Sequence, residues 1–135
     1  MHTTRDPVVT EREIIAIQHL VAEIAFAFDS AGGDRAARLG ELLADDVEYE
    51  NPGKTHIHSL AELVDTLENA ADPALSHHLS SMTVQPAGPD TATCRSKVLT
   101  VRSGGRLSVG EFTDTVRRGP DGRWMLTHRL VRPII

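Results

Sequence analysis

Aromatic residues are scarce in this chain of 135 residues, where they make up 4% of the total: Phe26, Phe28, Tyr49, Phe112 and Trp124. Cys94 is the single cysteine, which excludes an intramolecular disulfide and any site that needs two thiolates. No stretch approaches the roughly 18 apolar residues of a membrane span, and residues 1–9 lack the apolar core of a secretion signal. We therefore expect a cytoplasmic protein with no membrane partner.

Positive charge is also in the minority. The chain has 14 Lys and Arg against 19 Asp and Glu, which gives a net charge of −5 at pH 7. Nucleic-acid binding depends on clustered cations, so we expect no nucleic-acid partner. The length fits one domain with a core large enough to fold without a disulfide or metal. We expect residues 1–9 to form a flexible tail and residues 10–135 to form a single domain.

The first half of the chain has helical signals. Thr10 and Glu13 form a capping-box pattern, which predicts that a helix begins there. One face of this helix is apolar through steps of three and four residues, at Ile14, Ile17, Val21, Ile24 and Phe28. Gly32 and Gly33 are expected to end it. Two shorter helices are predicted over 34–46 and from Ser59 to about Ala71, with a short strand over 47–50 between them.

The second half has strand signals separated by turns rich in Gly, Pro and Asp. Four long strands are predicted as an antiparallel meander, over 77–85, 91–102, 106–118 and 123–132. This order predicts an α+β fold, in which three N-terminal helices pack on the concave face of a strongly curved, mostly antiparallel sheet. A sheet curved in this way forms a cone around the helices. The cone leaves an apolar pocket between helices and sheet, where we expect an apolar small-molecule ligand.

Four segments in this order resemble the SnoaL-like branch of the nuclear transport factor 2-like superfamily, over residues 10–132. They are Phe28-Asp29, Leu43-Ala-Asp-Asp-Val47, His77-His-Leu-Ser-Ser-Met-Thr-Val84, and Asp121-Gly-Arg-Trp124 through His128-Arg129. The superfamily includes scytalone dehydratase, ketosteroid isomerase and polyketide cyclases, and also members that only bind or scaffold. The resemblance implies a cofactor-independent lyase or isomerase that transfers a proton on a carbonyl- or hydroxyl-bearing substrate. The alternative is a non-catalytic ligand-binding or dimerisation module of the same fold.

The resemblance also implies three catalytic residues. Asp29 and His77 correspond to the carboxylate and imidazole of the dehydratases, and Arg129 corresponds to the arginine of their last strand. An imidazole exchanges protons near neutral pH, so His77 would be the acid or base and Asp29 would orient it. Arg129 would hold a developing enolate or neutralise Asp29. Because side chains alternate along a strand, either His77 or His78 points inward.

Five further residues are expected to contact the substrate: Ile24, Phe28, Tyr49, Asn51 and Glu111. Ile24 stands where the dehydratases have a tyrosine, and Asn51 stands where the ketosteroid isomerases have their aspartate base. Tyr49 is the single phenol of the chain, and either donates to a substrate oxygen or is a half-buried strand residue with a solvated tip. Glu111 either faces the cavity or pairs with an arginine of a neighbouring strand.

The last strand presents a choice between two neighbouring residues. Without a bulge, Trp124 shares a face with Leu126, His128 and Leu130, and Arg129 lies on the other face. His128 and Arg129 then cannot both enter the cavity, and we expect Arg129 to do so. Trp124 is expected to pack in the core or at a dimer face.

A metal site is the competing interpretation of the histidines. His56-x-His58 puts two rings on one face of an extended segment, His77-His78 adds two more, and Glu48 is a conceivable third ligand. Loop histidines are more often solvated, and the resemblance implies no metal, so we expect neither a metal nor another cofactor. We expect a homodimer, because the convex side of the meander carries apolar residues.

Overall fold

The computed structural model describes residues 9–31 and 33–135. The expected N-terminal tail lies outside these residues, apart from Val9. The described residues form three α-helices, α1 (Glu11–Asp29), α2 (Gly33–Leu42) and α3 (Leu60–Glu68). They also form six strands: β1 (Leu43–Asn51), β2 (Thr55–Ile57), β3 (Ala74–Gly88), β4 (Thr91–Arg102), β5 (Arg106–Arg118) and β6 (Trp124–Pro133). The predicted α+β class is confirmed, and β2 is a strand that the sequence pattern did not predict.

Both capping patterns start helices as expected. The Thr10 hydroxyl accepts a hydrogen bond from the Glu13 amide at 3.3 Å, and the Ser59 hydroxyl accepts one from the Glu62 amide at 3.1 Å. The helix ends differ from the prediction. α1 stops at Asp29 because Ser30 takes an extended conformation, and α2 stops at Leu42, so that residues 43–46 belong to β1.

The sheet is curved and unclosed, with the strand order β2-β1-β6-β5-β4-β3. β1 and β6 run parallel, and every other neighbouring pair is antiparallel. The pairing of β3 with β4 shifts register at three places, one of which surrounds Ser81, a residue with a positive φ of 52°. Register shifts of this kind bend a strand and increase its twist, so β3 curves around the helices.

A further register shift lies in β6. Val116 of β5 pairs with Leu126, whereas Thr115 pairs with His128, which leaves Thr127 as an extra residue. Trp124, Leu126 and Arg129 are therefore buried on the concave side, and His128 faces outward. The expected face shared by Trp124 and His128 is wrong, because that expectation assumed regular alternation.

The core lies between α1 and the concave face of the sheet. Ile17, Val21 and Ile24 of α1 are fully buried there, and α1 packs mainly along β3. Cys94 is also buried, and burial raises the pKa of its thiol to about 12, so it packs as a small apolar side chain. Among the described helices, none is long and apolar enough to cross a membrane.

Candidate functional site

The end of α1 and the start of β3 bring Asp29 and His77 together. Nδ1 of His77 lies 2.6 Å from Oδ1 of Asp29, and the backbone N–H of His77 donates to Oδ2 at 3.0 Å. A carboxylate accepts hydrogen bonds, so the ring proton of the neutral imidazole belongs on Nδ1. Nε2 then keeps a free lone pair, as a general base requires.

The pair is shielded from solvent, with side chains that are 15% exposed for His77 and 20% exposed for Asp29. The ring of Phe28 meets the imidazole edge-on, at 5.8 Å between ring centres. Burial lowers the pKa of His77 below its ordinary value, and the hydrogen bond that His77 donates to Asp29 opposes this effect without cancelling it. His77 is therefore neutral at pH 7 and ready to accept a proton.

His77 lines a cavity of about 560 Å³ on the concave side of the sheet. The apolar part of its wall includes Val98, Leu107, Val109, Phe112 and Val131. The polar part includes Tyr49, Asn51, Thr100 and Ser108. The cavity is thus a mixed one, large enough for a small organic molecule and provided with hydrogen-bonding groups.

Tyr49 and Asn51 reach this cavity from the inward face of β1. The ring of Tyr49 lies against that of Phe28, with centres 6.4 Å apart, and burial raises the pKa of Tyr49. The phenol therefore stays protonated and can donate a hydrogen bond. Oδ1 of Asn51 is buried and has no hydrogen-bond partner among the described residues. Such a group needs a partner, and a bound molecule in the cavity can supply it.

Charged residues surround the cavity where it opens to solvent. Among the side chains that line it, Lys54, Arg102 and Arg106 supply three cations and Asp72 supplies one carboxylate. Arg106 donates to Asp72 at 2.6 Å, and Arg102 donates to the Ser108 hydroxyl at 2.9 Å. This rim is positive in a chain whose net charge is −5, so it attracts an anionic group.

Arg129 lies behind the cavity wall and pairs with Asp114. Nε and Nη2 of Arg129 donate to the two carboxylate oxygens of Asp114 at 2.7 and 3.0 Å. The two side chains are 2% and 0% exposed, and the guanidinium lies 3.9 Å from the ring centre of Phe112. Arg129 was expected to act on an enolate or on Asp29, whereas the structure commits both of these donors to Asp114.

The family relationship follows from the sequence of residues 10–130, which matches the family described as SnoaL-like domain. The chain belongs to the SnoaL-like domain family. The match covers most of the chain, so the resemblance drawn from its motifs is confirmed. No curated protein matches the chain significantly.

Solved structures with the same fold include three whose names describe reactions. A scytalone dehydratase-like protein from Novosphingobium aromaticivorans DSM 12444 is 22% identical, with a TM-score of 0.74, over 90% of this chain and 83% of that one. The hexachlorocyclohexane dehydrochlorinase LinA-type3 from Novosphingobium barchaimii LL02 is 19% identical, with a TM-score of 0.73, over 90% and 86%. A ketosteroid isomerase-like protein from Parabacteroides distasonis ATCC 8503 is 22% identical, with a TM-score of 0.70, over 96% and 94%. At these identities the likeness shows the fold alone.

Three of the expected substrate contacts are not on the cavity wall of this SnoaL-like domain. Ile24 is fully buried in the core, because α1 turns it toward the sheet. Phe28 is buried too, and supports His77 and Tyr49 from behind. Glu111 pairs with Arg95 and with Arg132, the second of the two arrangements considered for it.

The sequence interpretation missed the charged rim and the partner of Arg129. A signal for part of the rim was present, since Arg102 and Arg106 flank the Gly104-Gly105 turn and so lie together at one edge of the sheet. Asp114 gave no comparable signal. Its place opposite Arg129 depends on the register between β5 and β6, which the bulge shifts.

The buried pair predicts a large loss of stability when one partner is removed. Asp114→Asn leaves the Arg129 charge without a counterion in the interior, so we expect it to lower the free energy of unfolding by about 3–5 kcal/mol. Glu111→Gln is the matched control, because Glu111 also lies on β5 and contacts an arginine of β6, Arg132, which is 69% exposed. Its loss should cost less than about 1 kcal/mol. Urea unfolding measures both variants, and equal losses would contradict the prediction.

Proposed function

We propose that this SnoaL-like domain is a cofactor-independent enzyme, a lyase or isomerase, that moves a proton on a small carbonyl- or hydroxyl-bearing molecule in the cavity. The observation that carries the proposal is the pairing of His77 with Asp29. Asp29 accepts hydrogen bonds from Nδ1 and from the backbone N–H of His77, so the residue is held at its ring and at its backbone while Nε2 stays free. A neutral, oriented imidazole on a cavity wall is the arrangement that general-base catalysis requires.

The reaction begins when Nε2 of His77 takes a proton from a carbon next to a carbonyl group. The C–H electron pair forms a carbon–carbon double bond, and the carbonyl π pair moves to oxygen to give an enolate. The protonated Tyr49 hydroxyl would donate a hydrogen bond to that oxygen. In a ketone with a β,γ double bond, the carbonyl re-forms, the electron pair shifts through that bond, and the γ carbon takes the proton back from the imidazolium, which completes an isomerisation. In a β-hydroxy ketone, the carbonyl re-forms and the bond to the β-hydroxyl breaks, and this group takes the proton from the imidazolium and leaves as water.

Asp29 supports this cycle electrostatically. The positive charge that His77 gains in the first step lies 2.6 Å from the Asp29 carboxylate, in a site where burial disfavours an isolated charge. The reactions named for the structural neighbours, dehydration, dehydrochlorination and isomerisation, can all begin with loss of a proton from carbon. These neighbours share the fold of this chain, so their reactions support the proposal by analogy.

The cavity also favours a class of substrate. Its apolar wall, with Val98, Phe112 and Val131, suits a hydrocarbon ring, and its rim cations suit an anionic group at the outer end. We therefore propose a small cyclic substrate that carries a carboxylate or a similar anion. This refines the expectation of an apolar ligand, since the sequence interpretation did not include the rim.

Replacement of His77 tests the proposed base. In D2O, we expect the protein to catalyse deuterium uptake at the carbon next to the carbonyl in a panel of one- to three-ring ketones, each with and without a carboxylate. His77→Ala should slow this uptake at least about 100-fold, the usual scale for a lost general base. Mass spectrometry of the ketones measures the rate.

The neighbouring His78→Ala is the control, because the His78 ring bonds to Ser76 rather than to Asp29. It should keep the wild-type rate. Equal uptake by wild type and His77→Ala would exclude His77 as the base. Saturable binding of the ketones without any uptake would instead favour the non-catalytic ligand-binding module.

The pH dependence gives a separate test of the pair. A base must be unprotonated, and burial lowers the pKa of His77, so kcat/KM should rise with pH to a plateau, with the midpoint of the rise below the ordinary histidine pKa of about 6.5. Asp29 raises the pKa of His77 through its hydrogen bond and charge. Asp29→Asn should therefore lower the plateau and also move the acid limb to lower pH. A limb that stays in place or moves up would contradict the assignment.

The rim predicts a charge-dependent KM. Lys54→Gln removes one cation from the rim, so KM for a ketone carboxylate should rise severalfold, which corresponds to about 1 kcal/mol for one solvent-exposed charge pair. Added salt should weaken the difference. The methyl ester of the same ketone should show no change. Lys97→Gln is the charge-matched control, since Lys97 is exposed on β4 and does not line the cavity. Equal effects on acid and ester would contradict a role for rim charge.

A further inference from the structure

A second group of functional side chains lies on the outer face of the sheet, and the proposed reaction does not use it. This outer cluster consists of Glu48, Glu50, His56, His58 and His128. It contains three imidazoles and two carboxylates from three neighbouring segments of chain. The sequence pattern had already suggested Glu48 as a third ligand beside His56 and His58, and the structure places all three outside the cavity.

Strand alternation explains why β1 and β2 contribute to this cluster. Tyr49 points into the cavity, so its neighbours Glu48 and Glu50 point outward. β2 pairs with β1 so that Ile57 lies opposite Tyr49 and His56 lies opposite Glu50. Ile57 is buried on the inner side, and its two neighbouring histidines consequently face outward.

The bulge of β6 supplies the remaining member. His128 lies opposite Glu48 in the parallel pairing of β1 with β6, and the extra residue Thr127 turns the His128 ring outward. Nε2 of His128 lies 2.8 Å from Oε1 of Glu50. The imidazole thereby fixes the position of that carboxylate.

The distances within the cluster suit coordination of one metal ion. Donor atoms of Glu48, His56 and His58 all lie within 4.8 Å of one another, and so do those of Glu48, Glu50 and His128. Nε2 of His56 is 3.4 Å from Oε2 of Glu48 and 3.9 Å from Oε1 of Glu50. Two ligands at the usual zinc distances of roughly 2.0–2.1 Å are about 3.4 Å apart in a tetrahedron, so only small side-chain movements are needed.

The charges of the cluster point to a cation as well. In the part of the chain that the structure describes, neither Glu48 nor Glu50 has an arginine or lysine within 4.0 Å. Their ionic partners are imidazoles, which are donors to a metal when neutral. A set of imidazole nitrogens with carboxylate oxygens favours zinc over magnesium or calcium, which prefer oxygen ligands alone.

We propose that Glu48, His56 and His58 bind one Zn²⁺ ion on the outer face, with a carboxylate oxygen of Glu50, positioned by His128, as the fourth ligand. The ion would tie the three-residue edge strand β2 to β1 and thereby hold the 52–54 turn. That turn carries Lys54 of the cavity rim. The site is structural, and it stands whether or not the cavity is catalytic.

Zinc titration of the 135-residue protein without a histidine tag tests this site. After removal of metals with a chelator, isothermal titration with ZnCl2 should show about one ion per chain, and zinc should raise the thermal unfolding midpoint. His56→Ala and His58→Ala should each weaken binding at least about tenfold. His19→Ala should not, although His19 is also an exposed histidine near a glutamate, Glu23 at 3.8 Å. Circular dichroism without metal verifies that each variant is folded.

Three results would overturn the proposal. One is the lack of stoichiometric zinc binding by the wild-type protein. Another is zinc binding that His56→Ala and His58→Ala leave unchanged while both variants stay folded. The third is binding of Mg²⁺ as tight as that of Zn²⁺, because an imidazole site discriminates against magnesium and a merely acidic patch does not.

Discussion

The bulge at Thr127 determines which side of the sheet Arg129 and His128 face. Arg129 follows the bulge and turns inward, where Asp114 neutralises it, while His128 turns outward beside Glu50. A regular strand would exchange these positions. It would then bury an imidazole next to Asp114 and leave the arginine in solvent. The burial of Arg129 behind the concave wall and the place of His128 in the outer cluster both depend on this one register shift, because side chains alternate along β6.

The buried ion pair next to the bulge also has a mechanical role. Arg129 and Asp114 join β6 to β5 directly behind Phe112, which forms part of the cavity wall. Two buried charges cost solvation energy that their attraction only partly returns, so the pair contributes less to net stability than its two hydrogen bonds suggest. What it provides is a fixed pairing of these strands, since any displacement leaves a charge unpaired in the interior. The wall that faces His77 is thereby held in one position.

Sequence reasoning succeeded where local chemistry determines structure. The capping residues Thr10 and Ser59 start helices, and β4 and β5 have the predicted bounds, because both signals reside within a few neighbouring residues. It also predicted that Asp29 lies beside His77, through the family resemblance rather than through any local pattern. It failed for β2, whose three residues are ordered by pairing with β1.

The partner of Arg129 and the face of the sheet on which His128 lies could not be predicted from the sequence for a different reason. Both depend on strand register and on a bulge, and a one-residue shift reverses every side chain without changing the pattern of residue types. The rim of the cavity depends on the same non-local information. Lys54 follows β1, whereas Arg102 and Arg106 flank the turn between β4 and β5, and only the curved sheet brings them to one opening.

The shortage of aromatic residues acquires a physical meaning in the structure. Phe28, Tyr49 and Phe112, three of the five, lie around the cavity or directly behind its wall. Phe28 contacts both His77 and Tyr49, so it excludes water from the proposed base and from the single phenol of the chain. The same burial acts on the two groups in opposite senses, since it lowers the pKa of His77 and raises the pKa of Tyr49. Burial favours the free-base form of the imidazole and keeps the phenol protonated. The same cavity therefore contains a proton acceptor, His77, and a hydrogen-bond donor, Tyr49.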